Sequence, residues 1–229
     1  MAIERDDVYN LAMKPTFGQQ RKKIAILGVG GVGSNLVRQI MPLQINKKVP
    51  FNVSIYDHDT VELHNLNRTS MFSVKDAFAA VNKVSAIRDM CNTVARLEIA
   101  RRTQAITKEN FRETDFLRTL IVDSRDTMAP DKIIPGTWLK LAYDGGSDIG
   151  FTWRPDIVAN MIFDLSANVT NTYAVTPSFY VPAVILSIMA YRFMQFLNFL
   201  EITELRAGTY QCNIDSVIES ISYQWDQIS

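Results

Sequence analysis

Lys23-Ile24-Ala25-Ile26-Leu27-Gly28-Val29-Gly30-Gly31-Val32-Gly33-Ser34-Asn35 is the stretch from which the rest of the chain is read. A short apolar run stops at a glycine cluster, and Leu36, Val37 and Ile40 follow at helical spacing. Gly28, Gly30 and Gly33 have the GxGxxG spacing of a nucleotide-binding strand–turn–helix unit. The first glycine permits a tight turn, the second lets the backbone approach a phosphate, and the third lets helix pack against strand. The helix N-terminus that results offers N–H groups and a positive dipole end to an anion.

Working outward, the spacing predicts a helix over 34–43, with Pro42 near its end, and a strand over 51–56 that alternates in period two and ends at Asp57. That is where a dinucleotide fold places the carboxylate that accepts from ribose hydroxyls. A polar segment with little periodicity, 59–68, comes where a dehydrogenase would pass directly into its next helix. A single helix is expected over 75–96, with Val81, Val84, Ile87, Met90 and Val94 at helical spacing. Cys91 lies inside it as a small buried hydrophobe. A short or exposed strand is expected within 96–106, then a buried strand over 117–126 that delivers acidic residues at its C-terminal end. The next strand, 138–146, ends in a glycine pair and has a hairpin partner at 149–153. Residues 154–177 read as a long crossover loop, of a length usually tied to function. A long apolar helix from Ser178 carries Pro182 in its first turn, where proline is tolerated. Two closing strands, 209–213 and 217–223, follow around Ile214-Asp215-Ser216.

The chain has 229 residues, 47% hydrophobic and 21% charged, with a formal net charge of zero. That length suits one α/β domain over 21–229, preceded by an N-terminal segment, 1–20, read as a possible helix and dimer contact. Neutrality argues against a dedicated nucleic-acid binder. Two cysteines, Cys91 and Cys212, cannot build a disulfide framework or a four-cysteine zinc site, so a reducing, cytoplasmic setting is expected. The polar, acidic opening residues do not read as a secretory signal. Arg192, Gln195 and Asn198 interrupt the long apolar helix, which reads as buried or interfacial rather than membrane-spanning.

With these residues in view, the chain resembles the ThiF/MoeB-type adenylyltransferases, whose fold is the core of the enzymes that activate ubiquitin and ubiquitin-like proteins. The elements that carry the resemblance run in order. They are the glycine turn with Gly28, Gly30, Gly31 and Gly33, then Asp57-His58-Asp59-Thr60-Val61, Asn65-Leu66-Asn67-Arg68, Lys83 on a helix, and Asp123-Ser124-Arg125-Asp126 after a strand. The resemblance implies a Rossmann-like doubly wound α/β sheet, mainly parallel with antiparallel C-terminal strands. It implies ATP with Mg²⁺: the glycines, Asp57 and Asp59 toward the nucleotide, Asn65 and Arg68 toward the phosphates, Lys83 on the β/γ phosphates, and Asp126 on the metal. Arg68, Lys83 and Asp126 are the residues it implies for catalysis. The implied partners are a ubiquitin-like or sulfur-carrier protein, or a peptide, with a C-terminal carboxylate, and a second copy of the chain in a homodimer.

Departures from the family pattern are equally specific. Thr69 stands where many relatives have glutamine, and the paired CxxC motifs of a structural zinc are absent, so no zinc is expected. Residues 144–177 contain no cysteine, so the chain looks equipped to adenylate and not to form a thioester. Arg5 is the only arginine upstream of Arg21 that a partner subunit could receive. Two other readings compete: an NAD-dependent oxidoreductase, and a non-catalytic scaffold with an activating-enzyme fold. His58 and His64, the only histidines, read as loop residues.

Overall fold

The computed structural model describes residues 22–45, 51–95, 100–102, 119–125, 137–143, 148–154, 180–199 and 208–213. The strands are β1 (Lys22–Leu27), β2 (Phe51–Tyr56), β3 (Ala100–Arg102), β4 (Thr119–Asp123), β5 (Thr137–Tyr143), β6 (Asp148–Arg154) and β7 (Gly208–Asn213). They form one sheet in the order β3-β2-β1-β4-β5-β6-β7. Strands β3 to β5 of that order pair in parallel, while β5–β6 and β6–β7 are antiparallel. This is the mixed α/β sheet expected from the sequence, including the hairpin and the closing strand. The second closing strand, 217–223, the crossover loop from 155 onward and the N-terminal segment with Arg5 lie outside the described residues.

Interior parallel strands are covered on both faces and so need near-continuous apolar runs. Ile24 to Leu27 on β1 are all buried, as are Ile121 and Val122 on β4. Helix α1 (Gly31–Ile45) lays Leu36, Val37, Ile40 and Met41 on this sheet. Helix α4 (Tyr180–Phe199) packs along α1 and reaches β5 and β6. Its Phe193 ring lies edge-on to Trp153, 5.4 Å between centroids, and 5.0 Å from Phe151. Burying each such aromatic or aliphatic side chain contributes roughly 1.5–3 kcal/mol.

Two expectations need correction. Helix α1 begins at Gly31 rather than Ser34, because the glycine cluster itself turns into the helix: the Ser34 N–H already donates to Gly30 O at 3.2 Å. Helix α4 buries Ala183, Leu186, Ala190 and Met194 within the chain and leaves Val181 and Ile188 exposed, which is compatible with the expectation of a core or interface helix. No described helix is long and apolar enough to cross a membrane.

The single helix expected over 75–96 is two, α2 (Val74–Phe78) and α3 (Lys83–Ala95). Ser73 caps α2 by accepting from Asp76 N–H at 3.1 Å. The chain then turns out at Ala80, which adopts a left-handed φ of 46°. That conformation costs an L-residue roughly 1–2 kcal/mol. The turn is held by Val61 N–H to Val81 O at 2.7 Å and by Asn82, whose Oδ1 accepts from Val84 N–H at 3.0 Å to start α3. Val81 therefore lies between the helices, not on one.

Candidate functional site

Sheet register puts the ends of three strands level. Leu27 pairs with Tyr56 on one side and with Asp123 on the other, so Gly28, Asp57 and Ser124 leave the sheet together at its C-terminal edge. In open parallel sheets ligands bind at that edge.

Gly28 has φ 79°, and a Cβ there would lie 2.9 Å from Arg125 Cγ. At Gly33 a Cβ would sit 2.1 Å from Gly28 O, so helix and turn touch through backbone alone. Gly30 differs: nothing lies within 4 Å of where its Cβ would be. That open face is where a ligand can meet the backbone. The first turn of α1 also carries no acidic side chain, which leaves its positive dipole end to an anion.

Asp57 is buried, with Oδ2 accepting from Val29 N–H at 2.8 Å and Oδ1 from Asp59 N–H at 2.9 Å. It thus ties the end of β2 to the glycine turn. The break between α2 and α3 places Lys83 at the start of α3. Its N–H donates to Asp59 O at 2.9 Å, and its ammonium lies 2.8 Å from Asp59 Oδ2. Burial pushes the Asp59 carboxyl up, but the hydrogen bond and charge of Lys83, aided by His58, outweigh this and hold it below the usual carboxylate range.

A 3-10 helix, Leu63–Asn67, carries the next pair. Asn65 is buried and its Oδ1 accepts from Glu62 N–H at 3.0 Å, fixing the start of that helix. Arg68 is buried just beyond it, its Nε 3.3 Å from Asn67 Oδ1 and its stem against Gly31, where a Cβ would come within 3.2 Å of Cγ and Cδ. Gly28, Gly30, Gly31, Gly33, Asp57, Asp59, Asn65, Arg68 and Lys83 are all placed around one edge. Asp126 lies outside the described residues.

Several contributors had no role in the sequence reading. Asn35 donates from Nδ2 to Gly31 O and to Arg68 O, both at 2.8 Å, and so fixes the arginine loop to the helix start. Thr69 accepts from Ser34 Oγ at 2.7 Å and from Met71 N–H at 3.1 Å; its hydroxyl pins the same loop, where the family often has glutamine. Ser124 Oγ lies 2.6 Å from Gly28 O, linking β4 to the turn.

Asp123 is not displayed to a ligand. Arg125 binds it through Nε at 2.9 Å and Nη2 at 2.8 Å, and Lys140, also buried, lies 3.3 Å from its Oδ1 and donates to Arg125 O at 2.6 Å. Burial alone would raise the Asp123 pKa, yet the Lys140 charge and the Arg125 hydrogen bonds outweigh it and hold the carboxyl low. Arg125, whose burial would lower its pKa, is held above its usual value by Asp123. One signal pointed here: a lone lysine inside the apolar run Trp138-Leu139-Lys140-Leu141-Ala142 must find a partner if buried.

Asp57, His58 and Asp59 bring three possible ligand atoms within 4.8 Å of one another. Backbone N–H groups and Lys83 already engage the two carboxylates, and we assign no metal there. His58 sits in the loop, as expected, 3.3 Å from Asp59, whereas His64 lies on the 3-10 helix rather than in a loop, 3.2 Å from Glu62. Cys91 is fully buried, and burial pushes its thiol up to about 11, which suits a packing residue.

Among known proteins, the chain is 30% identical over 131 residues to the NEDD8-activating enzyme E1 catalytic subunit of Saccharomyces cerevisiae. The match covers 56% of this chain and 40% of that subunit, so the chain spans less than half of its relative. Solved structures of E. coli MccB share the fold. The complex with ATP has a TM-score of 0.52 at 16% identity, over 90% of this chain and 66% of MccB. The complex with AMPCPP and MccA has a TM-score of 0.51 at 17% identity, over 84% and 64%. Residues 18–136, more than half of the chain, match the ThiF family, and the protein belongs to it.

Proposed function

We propose that this chain is an ATP-dependent adenylyltransferase that activates the C-terminal carboxylate of a ubiquitin-like or sulfur-carrier protein, or of a peptide, as an acyl-adenylate. The observation that carries this reading is the open face of Gly30, at the N-terminus of α1, set between buried Asp57 on one side and buried Arg68 on the other. Asp57 keeps a lone pair on each oxygen beyond its two backbone bonds, which suits a ribose hydroxyl. A carboxylate oxygen of the substrate attacks the α-phosphorus, the α–β phosphoanhydride bond breaks, and its electron pair leaves with pyrophosphate. Negative charge grows on the leaving group, and cations fixed beforehand stabilise it without reorganising. Arg68 and Lys83 take that part; Lys83 reaches a phosphate by exchanging Asp59 for it. Asp126 is the residue we propose for Mg²⁺, which supplies further charge stabilisation when bound.

The relatives support the same class, one being named for activating NEDD8 and the other solved with ATP and with MccA. The inert setting of Cys91 and the lack of cysteine in 144–177 support adenylation without a thioester on this chain. We propose a homodimer as the working assembly, checked by light scattering at micromolar concentration.

ATP–pyrophosphate exchange tests the reaction, using ubiquitin-like proteins and peptides that end in glycine. A thermal-shift comparison tests the nucleotide. ATP with Mg²⁺ is expected to stabilise the protein by mass action, about 2.7 kcal/mol at one hundred times the dissociation constant. Equal stabilisation by NADH sinks the reading.

A further inference from the structure

Lys140 on β5 pairs in register with Asp123, the last residue of β4. Strand β5 nonetheless continues three residues further, to Tyr143, held there by its antiparallel partner, with Tyr143 opposite Ile149. At about 3.3 Å per residue this carries Tyr143 roughly 10 Å beyond the level edge at which the glycine turn begins. Tyr143 shares a face of β5 with Leu139 and Leu141, both buried in the core that α4 covers, so its ring leans toward the helix face of the sheet. Its hydroxyl reaches the first residue of α1: a Cβ on Gly31 would lie 3.0 Å from Tyr143 Oη and 3.2 Å from Arg68 Cδ. The missing side chain of Gly31 therefore leaves room for both the phenol tip and the arginine stem at the start of α1.

Strand order then assigns sides. On the adenylyltransferase reading, Asp57 at the end of β2 and the glycine turn at the end of β1 take ribose and phosphates on the β2 side. The second substrate is left the β4–β5 side, where Arg125 and Lys140 are bound to Asp123. We propose that the Tyr143 hydroxyl binds the acyl substrate, donating a hydrogen bond to the carboxylate oxygen that does not attack. A neutral donor suits this position. It orients the carboxylate while leaving the attacking oxygen its charge, which an ammonium in contact would draw off. Tyr143 neither gains nor loses its proton: the other oxygen forms the bond to the α-phosphorus, and pyrophosphate departs as above.

This inference rests on the adenylyltransferase reading, and the experiment separates the two. The variant is Tyr143→Phe, which keeps the ring against Gly31 and Arg68. The probe is a set of synthetic peptides ending in Gly-Gly with a free carboxylate, with the same peptides amidated as controls, in ATP–pyrophosphate exchange. For the variant, kcat/KM toward the free-carboxylate peptide is expected to fall about 10- to 100-fold, the range of a hydrogen bond to a charged group. Its ATP-induced thermal shift is expected to match the wild type. Exchange unchanged in the variant overturns the inference alone. A loss of ATP-induced shift equal to the loss of exchange also overturns it, because the hydroxyl then serves the nucleotide. No carboxylate-dependent exchange by the wild type with any peptide overturns the functional reading, and the inference with it.

Discussion

Replacing Asp123 by asparagine probes the electrostatic support of the glycine turn. Asp123 is 5% exposed, and its carboxylate accepts from Arg125 Nε, Nη2 and backbone N–H at 2.9, 2.8 and 3.1 Å, with Lys140 3.3 Å away. Asparagine keeps the volume but leaves buried Lys140 and half-buried Arg125 without their counter-charge, and one of its two polar atoms becomes a donor facing donors. Breaking a buried pair in this way costs about 3–5 kcal/mol. In a protein of this size roughly 2–4 °C of melting temperature goes with each kcal/mol, so a fall of about 10 °C is expected by circular dichroism at pH 7.5. The sign of the pH dependence follows from the lowered Asp123 pKa. The carboxylate contributes its stability above the unfolded value of about 3.9 and loses it as pH falls through the lower folded value. The gap between wild type and Asp123→Asn is therefore expected to hold from pH 8 to 5 and to close only below about pH 4. Adding Lys140→Met removes the surplus cation and is expected to restore part of the loss, since a buried pair replaced by apolar volume is often near neutral. A melting temperature within 2 °C of wild type, or no recovery in the double variant, refutes the reasoning.

Two glycines three residues apart are expected to fail differently. Gly33→Ala forces a methyl to 2.1 Å from Gly28 O and is expected to lower soluble yield and melting temperature, whereas Gly30→Ala meets nothing within 4 Å. Gly30→Ala should therefore keep the melting temperature and lose the ATP-induced shift, and a normal shift in that variant tells against the cradle. Lys83→Ala breaks a pair whose Asp59 side chain is 51% exposed, so stability should change by under about 1 kcal/mol. Pyrophosphate exchange by the same variant should drop about 10²-fold or more, and equal exchange contradicts the role given to Lys83. Cys91→Ser puts a hydroxyl into a fully buried apolar site and should lower the melting temperature while leaving exchange intact. Mass spectrometry that finds a reductant-labile thioester on Cys91 excludes this account.

Strands β1, β2 and β4 were legible because strands buried on both faces must be written as short apolar runs, and the glycine turn and the acidic residue after β2 punctuate them. The break between α2 and α3 was not legible. Val81, Val84 and Ile87 keep a helical spacing across it, because Val81 faces the core from an irregular turn through its pairing with Val61. Nothing about an alanine advertises a left-handed φ, and the residues just after it are held from far away in sequence, by Asp59 O accepting from Asn82 Nδ2 and Lys83 N–H. That break is what sets Lys83 against Asp59, so the least legible local feature positions a side chain to which we give a role on the phosphates.

The proposed polyphosphate would meet an edge rich in acids. Asp57, Asp59 and Asp123 all leave the sheet or its following loop at the C-terminal edge, and three unscreened carboxylates there would repel the ligand. Each is engaged by the protein itself: Asp57 by two backbone N–H groups, Asp59 by Lys83, and Asp123 by Arg125 and Lys140 together. The Asp123 group carries two cations against one carboxylate, so its net sign is positive directly behind Gly28. With Arg68 on the α1 side and the helix dipole pointing at Gly30, the edge favours an anion despite its acids. Sequence composition cannot show this, because the pairing depends on register: Asp123 meets Lys140 only because β4 and β5 align those two residues.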